Sequence, residues 1–297
     1  MRRLLTGLSV SILLLLNTLI LIGPLLLIAL GKFVLPGKTL KTASSRGVMW
    51  VAETWAELNK LIFATLLPVH WEIRGNAELR PSTSYLVISN HQSWVDIPAL
   101  VQAFNRKTPY FKFFLKQQLI WVPFLGLAFW ALDYPFMRRY SKAFLAKNPQ
   151  LKGQDLEITK RACEKFKDLP VTVVNYLEGT RCTPAKQAQQ GSPYQYLLKP
   201  KAGGVAFVLA ALGEQLDRVL DVTLVYPGTR IPGFWDLISG QVDKVIVDIQ
   251  TCDLDSALWQ GDYENDPVFR QFVQSWVTRL WEEKDARIAE IRGEIET

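Results

Sequence analysis

One of the two histidines in this chain, His91, lies in a short polar stretch that could carry out proton transfer. The stretch is SNHQSWVD, residues 89–96, and it directly follows the apolar, β-rich run at 85–88. A neutral imidazole beside a carboxylate such as that of Asp96 can take a proton from a hydroxyl group near pH 7. The same residues also fit a structural role, because Ser93-x-x-Asp96 is typical of a capping box that opens a helix. On spacing alone, the helix cap is the favoured interpretation.

Helix geometry limits how His91 and Asp96 can meet. Two residues five positions apart in a regular α-helix point about 140° away from each other. The side chains can therefore pair only if His91 lies in a turn and Asp96 lies in the first helical turn. The β-rich run before His91 and the cap-like position of Ser93 favour this arrangement.

A second candidate motif, EGTR at residues 178–181, follows another predicted strand, Val171–Leu177. Ligands bind at the carboxyl ends of strands in parallel α/β sheets, so neighbouring strands would bring this motif close to His91. Gly179 permits a sharp turn, and Arg181 offers a planar fork that suits phosphate oxygens. Alone, the motif would be a strand-end turn with solvated charges. The presence of both motifs at strand ends favours a functional site.

The rest of the chain alternates between strand and helix patterns. Strands are predicted at 70–74, Tyr85–Ser89, Val171–Leu177, Val219–Tyr226 and Lys244–Ile249. Helices are predicted at about Val48–Leu67, Asp96–Phe104, Asp155–Lys167 and Gly204–Leu212, and from Asp266-Pro267 onward. This alternation predicts an α/β fold with a mostly parallel central sheet and helices on both faces. We place the α/β domain at 68–297 and an N-terminal anchor at 1–67.

The N-terminal unit is predicted to bind a membrane. Residues 8–30 are mostly Leu and Ile without a charge, which is long enough to cross a bilayer as one tilted helix. Pro24 leaves an alternative open, a kinked or re-entrant hairpin that enters one leaflet and returns. Basic residues on both sides leave the orientation undetermined. The amphipathic helix at about 48–67 would pack on the domain or lie in the membrane interface.

A second apolar stretch, Leu119–Phe136, is rich in aromatic residues. It contains Pro123, Gly126 and Asp133, which a spanning helix tolerates poorly. We therefore interpret it as a buried or interfacial segment.

Composition narrows the classes of partner. The formal charge is +6, from 34 Lys and Arg against 28 Asp and Glu, which suits anionic lipid, a phosphorylated ligand or nucleic acid. Ten tryptophans favour a membrane surface, and the sequence shows no nucleic-acid recognition motif, so we predict no nucleic-acid partner. Three cysteines without a CxxC pair predict neither a disulfide framework nor a metal site.

Four blocks, in order along the chain, resemble the glycerolipid acyltransferase family typified by 1-acyl-sn-glycerol-3-phosphate acyltransferase. The blocks are Asn90-His91 with Asp96; Lys116, Leu119, Pro123, Gly126, Phe136 and Arg139; Glu178-Gly179-Thr180-Arg181; and Val222–Pro227. Residues 197–201 and Tyr226-Pro227 are most similar to the lysocardiolipin acyltransferase-like branch. Two positions depart from the family pattern. Arg138 stands where the family commonly has an acidic residue, and Leu177 stands where it often has a proline.

The resemblance implies a role for each matching residue. His91 would be the general base that deprotonates a glycerol hydroxyl, and Asp96 would orient its imidazole and stabilise the charged form. The substrate-binding set would comprise Lys116, Arg139, Glu178, Gly179, Thr180 and Arg181. Within it, Arg139 and Arg181 would hold the phosphate group of the acceptor.

The implied reaction transfers a fatty acyl chain from acyl-CoA or acyl-carrier protein to a lysophospholipid. The first candidate acceptor is 1-acyl-sn-glycerol-3-phosphate, which would give phosphatidic acid. One alternative is reacylation of another lysophospholipid, such as lysophosphatidylglycerol or lysocardiolipin. The other is a non-catalytic membrane protein that binds lipid. This chemistry requires no metal or redox cofactor. The resemblance further implies phospholipid biosynthesis at a membrane, the inner membrane in a bacterium, with an active site facing the cytoplasm.

Overall fold

The computed structural model describes residues 1–34, 36–75, 77–137, 161, 163 and 169–296, and elements are numbered along these residues. The helices are α1 Arg2–Val34, α2 Lys38–Leu66, α3 Asp96–Phe104, α4 Leu125–Ala131, α5 Pro184–Gln190, α6 Ala202–Leu212, α7 Phe234–Ile238 and α8 Pro267–Glu296. The strands are β1 His70–Arg74, β2 Ser84–Ser89, β3 Phe111–Phe113, β4 Leu115–Lys116, β5 Phe136–Met137, β6 Thr172–Tyr176, β7 Leu216–Val225 and β8 Lys244–Cys252. The predicted helix at 155–167 lies mostly outside the described residues.

A six-stranded sheet of order β1-β8-β7-β2-β6-β3 forms the centre of the fold. Its neighbouring strands are parallel except for the antiparallel pair β7–β8, so the predicted mostly parallel sheet is confirmed. Strand β2 lies between β6 and β7, and all six of its residues are buried. Its nearly continuous apolar sequence is typical of a strand covered on both faces.

Helices cover both faces of this sheet, as predicted. On one face, Phe63 of α2, Leu100 of α3 and Leu237 of α7 belong to a single buried cluster. On the other face, Leu209 of α6 and Trp281 of α8 belong to a second cluster. The two cores hold β2 rigidly, and the loop that follows it carries His91.

The N-terminal residues form a pair of long helices. Helix α1 continues through Pro24, so the chain does not turn back at this proline. Helix α1 instead packs along α2, and the Asn17 side chain donates a 2.8 Å hydrogen bond to Asn59 of α2. By length and composition alone, α1 could cross a membrane. The boundary of the N-terminal unit at residue 67 stays a prediction.

The second apolar stretch does not form one long helix. It divides into a 3-10 helix at Gln117–Trp121, the short helix α4 and strand β5. Helix α4 contacts α1, and Lys32 of α1 forms a 2.6 Å ion pair with Asp133 just after α4. The segment therefore lies beside the long apolar helix, and Trp121 remains 84% exposed.

Candidate active site

The two sequence motifs meet at one edge of the sheet. Strands β2 and β6 pair in parallel, with Ser89 opposite Tyr176, so the residues after each strand lie side by side. Asn90 attaches the loop after β2 to the neighbouring strand β7. Its side-chain amide donates to the Leu224 carbonyl at 2.9 Å and accepts from the Leu224 N–H at 2.8 Å. This role of Asn90 was not predicted from the sequence.

His91 and Asp96 form a close pair in this loop. The distance between His91 Nδ1 and Asp96 Oδ2 is 2.6 Å. Asp96 is the first residue of α3 and is fully buried, whereas His91 lies in the preceding turn. This is the arrangement that helix geometry required of the two residues.

The expected capping box is confirmed only in part. The residue before α3 is Val95, and no side chain caps this helix end. The Ser93 hydroxyl instead donates to the Pro232 carbonyl and accepts from the Val95 N–H at 3.0 Å. The carboxylate of Asp96, however, accepts from the Ser93 N–H at 3.0 Å, which is the reciprocal bond of a capping box, so one of its two bonds forms.

The carboxylate of Asp96 is held by several donors. Its Oδ2 accepts from the backbone N–H groups of Gln92 at 2.8 Å and Ser93 at 3.0 Å. Its Oδ1 accepts from the Tyr226 hydroxyl. Burial, and then the nearby Asp96 charge, raise the pKa of Tyr226 well above its usual value, so this hydroxyl remains a donor. A carboxylate fixed in this way favours a proton on His91 Nδ1, which leaves Nε2 free to accept one.

The imidazole of His91 is held in a fixed orientation but remains accessible. It stacks on the Tyr176 ring with 4.2 Å between centroids, and Phe113 extends the stack. The His91 side chain keeps 19% of its surface exposed. A base in this position has a fixed direction and access to a substrate.

Glu178 braces the His91 loop from behind. It has no exposed surface, and its two carboxylate oxygens accept from the N–H groups of His91 at 2.8 Å and Leu198 at 3.1 Å. The Cys182 N–H donates to the His91 carbonyl at 2.7 Å, which ties the same two segments together. Because backbone amides engage both oxygens, we assign Glu178 to positioning His91 rather than to contact with a substrate.

Replacing Glu178 with glutamine tests this assignment. The amide can accept from one backbone N–H but must turn its own N–H groups toward the other, so the loop should loosen. We expect kcat to fall about tenfold with KM nearly unchanged, because small displacements of a catalytic group are costly. A large increase in KM without a loss of kcat would instead indicate contact with the substrate.

The pH dependence of stability offers an independent readout for the same variant. Burial raises the pKa of Glu178 to about 7 from 4.5, so the folded chain holds a proton in this range that the unfolded chain has lost. The contribution of Glu178 to stability should therefore fall as pH rises between these two values and stay constant above them. In Glu178→Gln, melting temperatures measured across the range should lack this component.

The rest of the EGTR loop presents cations. Gly179 has a φ of 67°, in the left-handed region, which confirms the sharp turn predicted there. Arg181 is exposed, and its guanidinium lies 4.9 Å from the centroid of the Trp94 ring. Lys186 Nζ donates to the Thr180 hydroxyl at 2.7 Å and to the Arg181 carbonyl at 3.0 Å. The loop thus combines fixed backbone geometry with an accessible guanidinium.

The other predicted phosphate-binding residues are less closely placed. Lys116 is exposed in β4, a strand outside the six-stranded sheet. Arg139 lies outside the described residues. Cys182 lines the loop, and burial raises the pKa of its thiol to about 12, so it carries no thiolate at neutral pH. The described residues contain no group of three or more His, Cys, Asp or Glu that could hold a metal ion.

An apolar groove opens beside the His–Asp pair. It has a volume of about 620 Å³, and its lining includes Leu14, Trp55, Phe63, Trp94, Ile97 and Phe234. Trp94 and Ile97 flank the buried Asp96 in the chain, so the groove begins next to the polar site. Sequence reasoning missed it because its walls come from α1, α2, α3 and α7.

The chain belongs to the acyltransferase family, whose model matches residues 70–227. Mouse lysocardiolipin acyltransferase 1 is 27% identical over 249 residues, covering 79% of this chain and 61% of that protein. Human 1-acyl-sn-glycerol-3-phosphate acyltransferase gamma is 24% identical over 185 residues, covering 59% of this chain and 44% of that protein. The chain thus spans less than two thirds of the length of these relatives.

A solved structure has the same fold. The 1-acyl-sn-glycerophosphate (LPA) acyltransferase PlsC from Thermotoga maritima superimposes with a TM-score of 0.51 and 18% sequence identity. The match covers 94% of this chain and 97% of the other, so it includes most of the N-terminal helices as well as the α/β part. The family resemblance and the fold class predicted from sequence are both confirmed.

Proposed function

We propose that this protein is an O-acyltransferase that moves a fatty acyl chain from a thioester donor to the free hydroxyl of a lysophospholipid. The observation that carries the proposal is the pair of His91 and Asp96, 2.6 Å apart at the carboxyl end of β2. Membership of the acyltransferase family supports it. The EGTR loop and the apolar groove, which meet where Arg181 lies over the Trp94 ring, match the two halves of an amphiphilic substrate.

In the proposed reaction, His91 Nε2 accepts the proton of the acceptor hydroxyl as its oxygen attacks the thioester carbonyl. The resulting tetrahedral intermediate collapses with cleavage of the carbon–sulfur bond. The imidazolium returns the proton to the departing thiolate, so the products are the new ester and a free thiol. The negative charge of Asp96 stabilises the imidazolium between these steps. Each proton moves between His91 and the substrates, so the proposal needs no metal or redox cofactor.

The positions of the EGTR loop and the apolar groove suggest how the substrate lies. An acyl chain placed in the groove of about 620 Å³ would be surrounded by Trp55, Phe63 and Ile97. A phosphate at the other end would meet Arg181, whose planar fork suits bidentate contact with phosphate oxygens. We propose lysophosphatidic acid as the preferred acceptor, because its phosphate is a monoester with three free oxygens, which suit bidentate contact with the guanidinium of Arg181.

An acyl-transfer assay tests the function. The chain should be offered acyl-CoA and acyl-carrier protein as donors, and lysophosphatidic acid, lysophosphatidylglycerol and lysocardiolipin as acceptors. The highest kcat/KM with lysophosphatidic acid would support the proposal, and a preference for another acceptor would favour reacylation. Lipid binding without turnover for any pair would identify the non-catalytic alternative.

We also propose that α1 anchors the protein to the bilayer, with the active site on the cytoplasmic side where thioester donors are made. Leu19 and Ile20 of α1 are 49% and 67% exposed, so lysines there should leave the packing on α2 intact. The double substitution Leu19→Lys with Ile20→Lys should release the protein from membranes at alkaline pH, because charges are costly in the hydrocarbon core. The matched double alanine variant should stay bound. Equal retention of both variants would contradict the anchor.

A further inference from the structure

A second groove lies between residues 193–203 and the first turns of α8. It has a volume of about 500 Å³, and its lining includes Tyr194, Lys199, Lys201, Gly203, Tyr263 and Gln274. Unlike the groove beside Trp94, this one presents ammonium groups and phenol rings. Its chemistry therefore suits an anionic ligand.

Lys201 connects this groove to the EGTR loop. Its backbone N–H donates to the Leu177 carbonyl at 2.8 Å, which places it at the carboxyl end of β6. A Cβ atom built on Gly179 would lie 3.3 Å from Lys201 Nζ, so the ammonium lies close against the bare backbone of the turn. A side chain at position 179 would crowd this ammonium as well as strain the backbone.

The positive charge at this place is not neutralised by the described residues. Lys199, Lys201 and Arg181 are exposed, and none of them forms an ion pair with a described carboxylate. Glu178, the acidic residue of the loop, is buried, and its oxygens accept hydrogen bonds from backbone amides. Asp285 likewise accepts from the backbone of residues 195 and 196. The Lys201 ammonium thus lies against the turn at Gly179 without an ion pair to a carboxylate of the described residues.

We propose that Lys201, whose ammonium lies against the turn at Gly179, binds a phosphate group of the substrate. This inference rests on the proposed acyl transfer and extends it to a residue outside the four sequence blocks. The ligand is a phosphate ester, and two substrates could supply it. One is the headgroup of the lysophospholipid acceptor; the other is the phosphopantetheine arm of the thioester donor, which could continue into the groove between Tyr194 and Tyr263.

Steady-state kinetics of Lys201→Ala separates these two sources. Loss of a hydrogen bond to a charged group should raise one KM by about tenfold or more, with kcat changed less than about threefold. If the acceptor supplies the phosphate, KM should rise for lysophosphatidic acid but not for a monoacylglycerol. If the donor supplies it, KM should rise for acyl-CoA but not for acyl-pantetheine, which lacks phosphate. An unchanged KM for every substrate would overturn the proposal.

Two further variants serve as controls. Lys201→Arg keeps the positive charge and should stay close to the wild-type KM. Lys107→Ala removes another exposed lysine, in the turn after α3, and should leave all KM values unchanged. Melting temperatures of all variants should match the wild type, because the Lys201 side chain is exposed.

Direct binding keeps the test independent of turnover. Calorimetric titration of the wild type and of Lys201→Ala with CoA and with sn-glycerol 3-phosphate should show weaker binding of one of the two ligands by the variant. Equal affinities of both proteins for both ligands would contradict the role of Lys201. Absence of acyl transfer by the wild type would instead contradict the proposed function, and the binding result would still stand.

Discussion

Replacing His91 with alanine should lower kcat for acyl transfer by about 10²- to 10⁴-fold, the usual contribution of a positioned general base. The imidazole is the group that removes the proton from the acceptor hydroxyl in the proposed reaction. Its ring stacks on Tyr176 and pairs with Asp96 at 2.6 Å. A water molecule in place of the imidazole would not be held in a fixed orientation. Asp96 would also not stabilise its protonated form. KM should change little, because the proposed binding of the phosphate by Arg181 and of the acyl chain by the apolar groove does not involve His91.

The second histidine supplies a matched control for this experiment. His70 is exposed at the start of edge strand β1, which strands β8 and β7 separate from β2. His70→Ala should therefore keep the wild-type kcat and KM. Wild-type rates in His91→Ala, measured on folded protein of unchanged melting temperature, would show that His91 is not the base.

Replacing Asp96 with asparagine should lower kcat by about 10²- to 10⁴-fold, as expected for the acid of a base–acid pair. The amide removes the negative charge that stabilises the imidazolium. In the wild type, Asp96 Oδ2 accepts from the N–H groups of Gln92 and Ser93, and Oδ1 accepts from the Tyr226 hydroxyl. The asparagine amide would therefore place its own N–H group against at least one of these donors. The buried site should lose stability as well, by about 1–3 kcal/mol for each donor left unpaired.

Tyr226→Phe provides the comparison for Asp96→Asn. It removes one hydrogen bond to the carboxylate but keeps the charge beside His91, so kcat should fall less than about tenfold. Circular dichroism and melting temperature would separate a loss of rate from a loss of fold. If Asp96→Asn and Tyr226→Phe had equal effects on kcat, the charge of Asp96 would not contribute to catalysis.

Several features of the site were predictable because they depend on neighbours in sequence. The apolar run before His91 predicted β2, and helix geometry restricted pairing with Asp96 to a turn followed by the first helical residue. Helix α3 begins and ends where its pattern predicted, at Asp96 and Phe104. The turn at Gly179 was predicted for the same reason, because its left-handed backbone is a local property of glycine.

Features that depend on which face of an element is buried could not be predicted in this way. The EGTR motif predicted one polar loop, but the fold turns Glu178 inward to two backbone amides and leaves Arg181 exposed. The capping-box interpretation of Ser93 was confirmed for its N–H, which donates to Asp96, but the pattern could not predict that the hydroxyl donates to the Pro232 carbonyl, which is distant in sequence. In both cases the partner atoms come from elements that no local pattern connects.

The N-terminal helices show the same difference between what the local sequence determines and what the tertiary structure determines. The uncharged run at 8–30 determined by itself that a long apolar helix forms. Only the structure shows that α1 continues through Pro24, and that α2 begins at Lys38 rather than near Val48. Both grooves beside the site are likewise products of tertiary structure, since their walls come from several elements. Local patterns determine which segments are strands, helices and turns, because those depend on backbone and side-chain periodicity. Which side chains meet is decided by burial and hydrogen bonding between segments that are far apart in the chain.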